Sequence, residues 1–223
     1  MAKLNFIDLF AGCGGLSEGF LQSGHFNGLA HVEWETPMVD TLRLRLSEKW
    51  GDSQEEAQSK VIQFDIQKTE ELISGNWTDE TKSLYAVNNS GQAQNGLDEI
   101  IKGQNVDVII GGPPCQAYSI HGRAKDKDFM ENDYRNYLFE SFVKVVNHYR
   151  PKTFVFENVA GLLSAKPKGI SIVDKIFKAF KDIGYKIYEP ARLKDAVFNA
   201  GDFNVPQYRP RIIIFGIRED LSL

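Results

Sequence analysis

Short apolar runs alternate along the chain with segments whose apolar residues recur at helical spacing. Helical periodicity follows the first two runs, in GLSEGFLQSG and TPMVDTLRLRLSEKW. Strand and helix patterns that alternate in this way predict an α/β fold with a doubly wound, mostly parallel sheet. The apolar runs, rich in β-branched and aromatic residues, are LNFIDLF, LAHVEW, VIQFDI, VDVIIGG, TFVFENV, YKIYEP and RIIIFGIR.

Two apolar stripes in the second half of the chain predict further helices. Apolar residues recur at helical spacing between Asn132 and Arg150. They do so again from Ile172 to Phe180, ahead of Gly184, a residue suited to end a helix. We assign both stripes to the core and give them no chemical role.

Two segments lack any such pattern. Residues 67–104 are polar and rich in Asn, Gly and Ser, and we interpret them as a surface insertion or a mobile connection. Residues 121–133 are also polar, and either a lid or a solvated connector would have this composition. Neither segment is treated as a second domain, so residues 1–223 are expected to form one domain.

The composition suits a single α/β domain. The chain has 223 residues, of which 42% are hydrophobic and 25% charged, enough to bury a core. Its two cysteines, Cys13 and Cys115, are far apart and have no metal-ligand spacing, so we expect two free thiols, no metal and a cytoplasmic location. The sequence shows neither a signal-peptide pattern nor an apolar run of eighteen residues, and we expect no membrane association.

Charge is distributed unevenly along the chain. The net charge is −4, but residues 1–100 carry 7 Lys and Arg against 16 Asp and Glu, a net −9. Residues 101–223 carry 19 against 14, a net +5. The basic second half permits a surface that faces a polyanion, although scattered lysines also occur on ordinary solvated faces.

A glycine turn follows the first strand, in DLFAGCGG. Gly12, Gly14 and Gly15 would let a nucleotide-like ligand approach the backbone where the first helix begins. Glu33 ends the second strand, 21 positions after Gly12, where an acidic side chain can accept hydrogen bonds from ribose hydroxyls. Tight packing between strand and helix is the alternative explanation of the glycines.

Further contacts for such a ligand follow the second and third strands. Trp34 would offer an aromatic surface, and Asp65 with Ile66 would supply a polar contact for an adenine. Each residue taken singly also fits a structural role, but their position at consecutive strand ends favours a common site.

Cys115 is a candidate nucleophile. It lies in GGPPCQAYSI, directly after the apolar run VDVIIGG, at the carboxyl end of a predicted parallel strand. Gly111 and Gly112 permit close backbone approach, and Pro113 with Pro114 fixes φ and stops the strand. A small buried hydrophobic residue is the alternative role for a free cysteine.

Charged residues in two later strands are candidate partners. Glu157 would be buried at the end of TFVFENV, which would raise its pKa and suit it to donate a proton, while an N-cap role for Glu157 and Asn158 is the alternative. Arg209 and Arg211 would share one face if the last strand begins there, and they need an acceptor. That acceptor could be an internal carboxylate or a substrate.

Taken in order, FIDLFAGCGG, VEW, FDI, GGPPCQAYSI, FENV and PQYRPR closely resemble the DNA (cytosine-5) methyltransferases. The resemblance covers nearly the whole chain apart from 67–104. It implies a Rossmann-like methyltransferase sheet with a C-terminal antiparallel hairpin, S-adenosyl-L-methionine as cofactor, and double-stranded DNA as substrate. It further implies methyl transfer to C5 of a cytosine that has been flipped out of the duplex.

The resemblance also implies roles for individual residues around the cofactor. Phe10 would stack on adenine, Glu33 would bind the ribose, and Trp34 would lie against the cofactor. Cys13 occupies a variable position of the turn, and we expect its side chain to pack. The remaining implied cofactor contacts are Ala11, Gly12, Gly14, Gly15, Asp65, Ile66 and Pro113.

The implied chemistry begins at Cys115, whose thiolate would add to C6 of the cytosine. Protonated Glu157 would bind N3 and the exocyclic amine, with Asn158 orienting the site. Arg211 would hold the base and Glu157, and Arg209 would lie beside the nucleophile. Residues 116–134 would close over the base, with DNA contacts expected from Gln116, Ser119, Arg123 and Gln207.

Members of this family continue beyond the last strand with a target-recognition region and further motifs. We therefore expect either a fragment or one half of a split enzyme whose second polypeptide supplies the rest, and poor methylation by this chain alone. A partner-dependent or non-catalytic subunit and an RNA cytosine-5 methyltransferase stay open as alternatives. A nicotinamide-dependent oxidoreductase could share the glycine turn and Glu33, but it would leave Cys115, Glu157 and the two arginines without a common purpose.

Overall fold

The computed structural model describes residues 2–114 and 137–221, which belong to two compact units, Met1–Gly111 and Gly112–Leu223. The strands are β1 (Leu4–Leu9), β2 (Phe26–Glu33), β3 (Val61–Gln63), β4 (Val108–Gly111), β5 (Thr153–Val159), β6 (Tyr185–Lys186), β7 (Val197–Asn199) and β8 (Pro210–Arg218). The helices are α1 (Gly15–Gln22), α2 (Thr36–Trp50), α3 (Gln54–Lys60), α4 (Thr69–Ser74), α5 (Asp79–Tyr85), α6 (Gly96–Ile101), α7 (Leu138–Tyr149) and α8 (Ile172–Asp182).

The first unit is built on parallel strands in the order β3, β2, β1, β4. Residues Phe6 to Leu9 of β1 are all fully buried, as expected of a parallel strand covered on both faces. Parallel pairing brings the carboxyl ends of these strands to one edge of the sheet, which is where open α/β sheets bind ligands.

The turn from β1 to α1 has an unusual backbone. Phe10, Gly12 and Gly14 have φ values of 59°, 55° and 85°, in the left-handed region. A Cβ atom at Gly14 would lie 2.6 Å from Cδ1 of Leu42 on α2. Gly14 is therefore required both by the backbone conformation and by the packing of α1 against α2.

A buried polar network joins β1, α1 and β2. The Ser17 hydroxyl donates a hydrogen bond to Oδ2 of Asp8 (2.6 Å) and lies 2.9 Å from Nδ1 of His31. All three side chains are fully buried. Burial raises the pKa of Asp8 to about 7 and lowers the pKa of His31 to about 3, since charge is disfavoured away from water.

Residues 67–104, interpreted from the sequence as an insertion or mobile connection, are largely helical. They contain α4, α5 and α6, and they bury Trp77, Tyr85 and Leu97. These apolar residues follow no helical or strand period, so the sequence pattern gave no sign of this packing.

The same segment covers the free edge of β3. The Asn89 side chain accepts a hydrogen bond from the Gln63 backbone N–H (2.8 Å) and donates to the Gln63 carbonyl (2.9 Å). An amide side chain thus takes the place of a neighbouring strand and satisfies an edge that would otherwise be open.

The second unit is built on antiparallel strands. β8 pairs with β5, β6 and β7, and β7 and β8 form the predicted C-terminal antiparallel hairpin. Phe142 of α7, Phe154 of β5 and Phe180 of α8 pack in its core, with the rings of Phe154 and Phe180 stacked 3.9 Å apart. Helix α7 lies within the predicted range 132–150, and α8 ends just before Gly184, as expected.

The predicted α/β class is confirmed, with parallel strands in the first unit and an antiparallel group at the end of the chain. Among residues 2–114 and 137–221, no helix is long and apolar enough to cross a lipid bilayer.

The Asp8 network predicts a specific pH dependence of stability. Because the pKa of Asp8 is raised in the folded state, its contribution to stability is full below its unfolded value and is lost as pH rises towards 7. The pKa of His31 is lowered, so its contribution to stability is lost in the opposite direction, as pH falls from 6.5 towards 3. The same loss occurs in any Asp8 variant. We expect the Asp8→Asn variant to gain stability relative to the unsubstituted chain as pH rises from 5 to 8.

Urea unfolding of both proteins at several pH values measures this difference. Asp40→Asn, at an exposed position of α2, is the matched control and should show no such trend. A stability difference between Asp8→Asn and the unsubstituted chain that is constant from pH 5 to 8 would show that Asp8 is ionised in the folded protein.

Candidate active site

Glu33 links two neighbouring strand ends in the first unit. Its Oε2 accepts a hydrogen bond from the Gly12 backbone N–H (2.7 Å), and its Oε1 accepts from the N–H groups of Trp34 (2.7 Å) and Glu35 (2.8 Å). A carboxylate has about four acceptor positions, so these three bonds leave capacity for a further donor. The predicted position of Glu33 at a strand end, beside the glycine turn, matches the structure.

Apolar surface lies beside this carboxylate. The Trp34 side chain is 49% exposed although it directly follows a buried strand, and Met38 on α2 is 41% exposed. Ile66 is buried, whereas Phe10 and Asp65 are half-buried. The turn at Asp65 is fixed by its own carboxylate, which accepts a hydrogen bond from the Gln67 backbone N–H (3.0 Å).

The glycines of the turn serve different purposes. A Cβ atom at Gly15 would meet nothing within 4 Å, and Gly15 does not have a positive φ. A Cβ atom at Gly12 would approach only Met38 Sδ, at 4.0 Å. Open space therefore faces the backbone at both positions, and at Gly15 neither conformation nor packing explains the glycine.

Ala11 and Cys13, two other residues of the turn, differ in burial. Ala11 is buried against α2, and its N–H donates to the Val32 carbonyl (3.0 Å). The Cys13 side chain is exposed, so the prediction that it packs is wrong. The left-handed residues on either side, Gly12 and Gly14, form a tight turn, and the side chain between them is directed outwards.

In the second unit, Glu157 of β5 is paired with Arg211 of β8. Their Oε1 and Nε atoms are 2.9 Å apart, and each side chain is 23% exposed. Burial raises the pKa of Glu157, while the positive charges of Arg211 and Arg209 oppose that rise without cancelling it. The protonated form of Glu157 is therefore favoured to a higher pH than in a free glutamate.

The segment that precedes Cys115 packs against the same carboxyl group. A Cβ atom at Gly112 would lie 2.7 Å from Oε2 of Glu157, so a side chain there would displace the carboxylate from its present position. The sequence indicates close backbone approach at Gly112 but gives no sign of this contact. Asn158 donates from Nδ2 to the Pro113 carbonyl (3.2 Å), which holds the segment to the end of β5.

The alternative N-cap role is wrong, and the condition under which the two arginines would share a strand face is not met. The helical turn after β5 has Val159 at its N-cap and no side-chain cap, so Glu157 and Asn158 do not cap it. β8 begins at Pro210, so Arg209 precedes the strand instead of sharing a strand face with Arg211. Arg209 is exposed, and its backbone N–H donates to Oδ1 of Asn199 (2.8 Å).

Of the remaining predicted site residues, one is described by the structure and four lie outside the described residues. Gln207 is described and lies exposed in the loop before β8. Among the described residues there is no group of three or more His, Cys, Asp or Glu arranged to hold a metal ion. The predicted site residues that lie outside the described residues are Cys115, Gln116, Ser119 and Arg123, with the segment 116–134.

Comparison with known proteins agrees with the resemblance found in the sequence. The chain is 35% identical to type II methyltransferase M.Bpa9945I of Bacillus paralicheniformis, over 97% of this chain and 54% of that protein. It is 33% identical to type II methyltransferase M.DdeI of Desulfomicrobium norvegicum, over 99% of this chain and 42% of that protein. The chain thus spans about half the length of these relatives.

The fold has a counterpart among solved structures. The structure of the S. pombe Dnmt2 methyltransferase matches with a TM-score of 0.60 over 99% of this chain and 53% of that one. The two sequences are 16% identical, so this likeness concerns the fold. The family model for C-5 cytosine-specific DNA methylase matches residues 4–75 and 67–223. Because that match runs from the start of β1 to the last residue, the chain belongs to the C-5 cytosine-specific DNA methylase family.

Proposed function

We propose that this chain is the cofactor-binding and catalytic part of a DNA (cytosine-5) methyltransferase of a restriction–modification system, acting on double-stranded DNA in the cytoplasm. The observation that carries the proposal is the position of Glu157. Its carboxyl group, paired with Arg211, packs against Gly112, three residues before the candidate nucleophile Cys115.

The first unit fits S-adenosyl-L-methionine. The space at Gly12 and Gly15 admits a ligand to the backbone, and Glu33 retains acceptor capacity for ribose hydroxyls. Half-exposed Trp34 offers an aromatic face, and Asp65 offers a carboxylate to the adenine amine. Phe10, Ala11, Cys13, Gly14 and Ile66 complete the contacts proposed for this unit. When bound, this cofactor supplies a methyl group made electrophilic by its sulfonium.

Cys115 would form a covalent bond to C6 of the cytosine. A free cysteine thiol has a pKa of about 8.5, so only a few per cent is ionised at neutral pH. Addition of the thiolate to C6 would place electron density on C5, and C5 would take the methyl group from the sulfonium, whose S–CH3 bond breaks to leave S-adenosyl-L-homocysteine. Transfer of the C5 proton to a base such as a water molecule, with expulsion of the Cys115 thiolate, would restore the aromatic ring and release the methylated base.

Glu157 would stabilise the ring while the thiolate adds. Negative charge develops on the pyrimidine as the Cys115 sulfur bonds to C6, and a protonated carboxyl group hydrogen-bonded to N3 neutralises it. The raised pKa of Glu157 keeps a proton available for this step. Arg211 fixes the orientation of that carboxyl group, and Asn158 holds the backbone that leads to the nucleophile.

Recognition of DNA involves contacts beyond these groups. We assign candidate DNA contacts to Gln116, Ser119, Arg123 and Gln207, with Arg209 beside the nucleophile. Because the relatives are about twice as long as this chain, we propose that a further segment or a second polypeptide supplies target recognition.

Gly15 provides a test of the cofactor site that is separate from stability. Gly15→Ala places a methyl group in open space at the start of α1, so we expect an unchanged or slightly higher unfolding midpoint. The same methyl group would obstruct the cofactor, and the affinity for S-adenosyl-L-homocysteine, measured by isothermal titration calorimetry, should fall at least about tenfold.

Gly19→Ala is the matched control, because Gly19 lies on the same helix and a Cβ atom there also meets nothing within 4 Å. It should bind the ligand like the unsubstituted chain. If the Gly15→Ala variant binds the ligand with the same affinity as the unsubstituted chain, the ligand does not bind at this turn.

Covalent trapping tests the chemistry. The chain, S-adenosyl-L-methionine and a duplex with 5-fluorocytosine should form an adduct that survives denaturing electrophoresis, because fluorine cannot leave C5 as a proton does. Cys115→Ala should abolish the adduct, and Glu157→Gln should slow its formation by about 10²-fold or more. Glu140→Gln, on the exposed face of α7, is the control and should have no effect.

The reaction should be run with the chain alone and with the recognition region of a longer relative added as a second polypeptide. We expect little adduct from the chain alone and more with the added region. An adduct formed only on RNA would redirect the substrate, and absence of any adduct under both conditions would favour a binding subunit over an enzyme.

A further inference from the structure

Gln63, the last residue of β3, has a buried side chain that reaches the end of β2. In the parallel pairing of these strands it lies opposite Glu33, and it is 6% exposed. Its Nε2 donates one hydrogen bond to the Trp34 carbonyl (3.0 Å) and another to Oγ1 of Thr36 (2.7 Å). The amide is thereby bonded at two points to the turn that joins β2 to α2.

The peptide unit between Trp34 and Glu35 connects this amide to the Glu33 carboxylate. The carbonyl of that unit accepts the bond from Gln63, and its N–H donates to Oε1 of Glu33 (2.8 Å). Because a peptide unit is planar, a bond that fixes its carbonyl also fixes the direction of its N–H. Gln63 therefore acts on the orientation of the Glu33 carboxylate through one rigid group.

The 67–104 segment holds Gln63 in place along the edge of β3 that faces away from β2. The Asn89 side chain bonds both backbone groups of Gln63 and donates to the Tyr85 carbonyl (2.9 Å). The Tyr85 ring packs against that of Phe64, the next residue after Gln63, with a centroid distance of 4.9 Å. The residue that bonds the turn is thus fixed by its own backbone before its side chain reaches β2.

The bonds that the Gln63 amide makes are not explained by stability. Its Oε1 is buried and has no hydrogen-bond partner among the residues that the structure describes. A buried acceptor without a partner destabilises a fold, and an apolar side chain of the same length would avoid that cost. Trp34 and Thr36 are exposed, so water can replace the two bonds that such a side chain would remove.

We infer that Gln63 is a positioning residue for the ribose end of the cofactor site. It holds the peptide unit after Trp34 so that the free acceptor capacity of Glu33 is directed at the ribose hydroxyls. The inference rests on the proposed function, since it assumes that Glu33 binds the ribose. A carboxylate that is already oriented loses less conformational freedom when the ligand binds, which favours binding.

The Gln63→Met variant tests this inference, because methionine keeps the length of the side chain and removes the donor. Two ligands are titrated by calorimetry: S-adenosyl-L-homocysteine and its 2′-deoxy analogue, which lacks one hydroxyl that Glu33 would bind. The unsubstituted chain should prefer the ribose ligand by about tenfold, since the analogue leaves a charged acceptor without that partner. Glu33→Gln should lose most of this preference, which would show that the preference reports on Glu33.

We expect Gln63→Met to bind the ribose ligand roughly fivefold more weakly and to lose at least about threefold of its preference, with little change in the unfolding midpoint. Thr36→Val removes the other acceptor of the same amide at an exposed position and should give a smaller loss in the same direction. Gln94→Met is the matched control. The Gln94 amide also donates to two backbone carbonyls, those of Ala86 and Asn89, and this variant should keep both affinities.

The possible results separate the inference from the proposed function. If the unsubstituted chain discriminates and Gln63→Met keeps its affinity and preference, the positioning role is wrong. An unchanged preference in Thr36→Val has the same meaning if Gln63→Met does not fold. A uniform loss for both ligands with a lower unfolding midpoint, or an equal loss of preference in Gln94→Met, indicates a structural role only and also overturns it. If the unsubstituted chain binds neither ligand or prefers neither, the assignment of the ribose to Glu33 fails, and the inference fails with it.

Discussion

The carboxylate of Glu33 determines the shape of the proposed ligand-binding edge in the first unit. It accepts hydrogen bonds from Gly12, in the turn after β1, and from Trp34 and Glu35, which follow β2. Hydrogen bonds to charged groups contribute about 1.5–3 kcal/mol each, so the loss of this carboxylate would release both strand ends. The left-handed turn at Phe10 and Gly12 is held by the same group that would receive a ribose, and the site is thereby preorganised.

In the second unit, two opposed electrostatic effects act on the carboxyl group of Glu157. Burial raises the pKa of Glu157, yet Arg211 lies close enough to hold its carboxyl group in place. Complete burial without the arginine would leave a neutral acid free to rotate, and full exposure would leave an ionised one. The intermediate environment suits a group that must keep a proton and present it in one direction.

Much of the fold follows from the sequence, because parallel strands buried on both faces produce apolar runs with turn residues at their ends. The glycine turn, Glu33 and Glu157 could be located by the same reasoning. The packing of Tyr85 and Asn89 could not, since the contacts of the 67–104 segment are specific hydrogen bonds and aromatic contacts without a period. The sequence also did not reveal the start of β8, which lies one residue after Arg209. Nor did it reveal the role of Gly112, whose missing side chain accommodates a carboxylate distant in sequence.

Hydrogen–deuterium exchange of the 223-residue chain, with and without S-adenosyl-L-homocysteine, tests most directly whether the strand ends joined by Glu33 receive the cofactor. The structure predicts slower exchange in the presence of the ligand in peptides that cover residues 9–15, 33–36 and 64–67. Exchange that stays unchanged in those peptides at saturating ligand, or that slows only elsewhere in the chain, would contradict the assignment of this edge as the cofactor site.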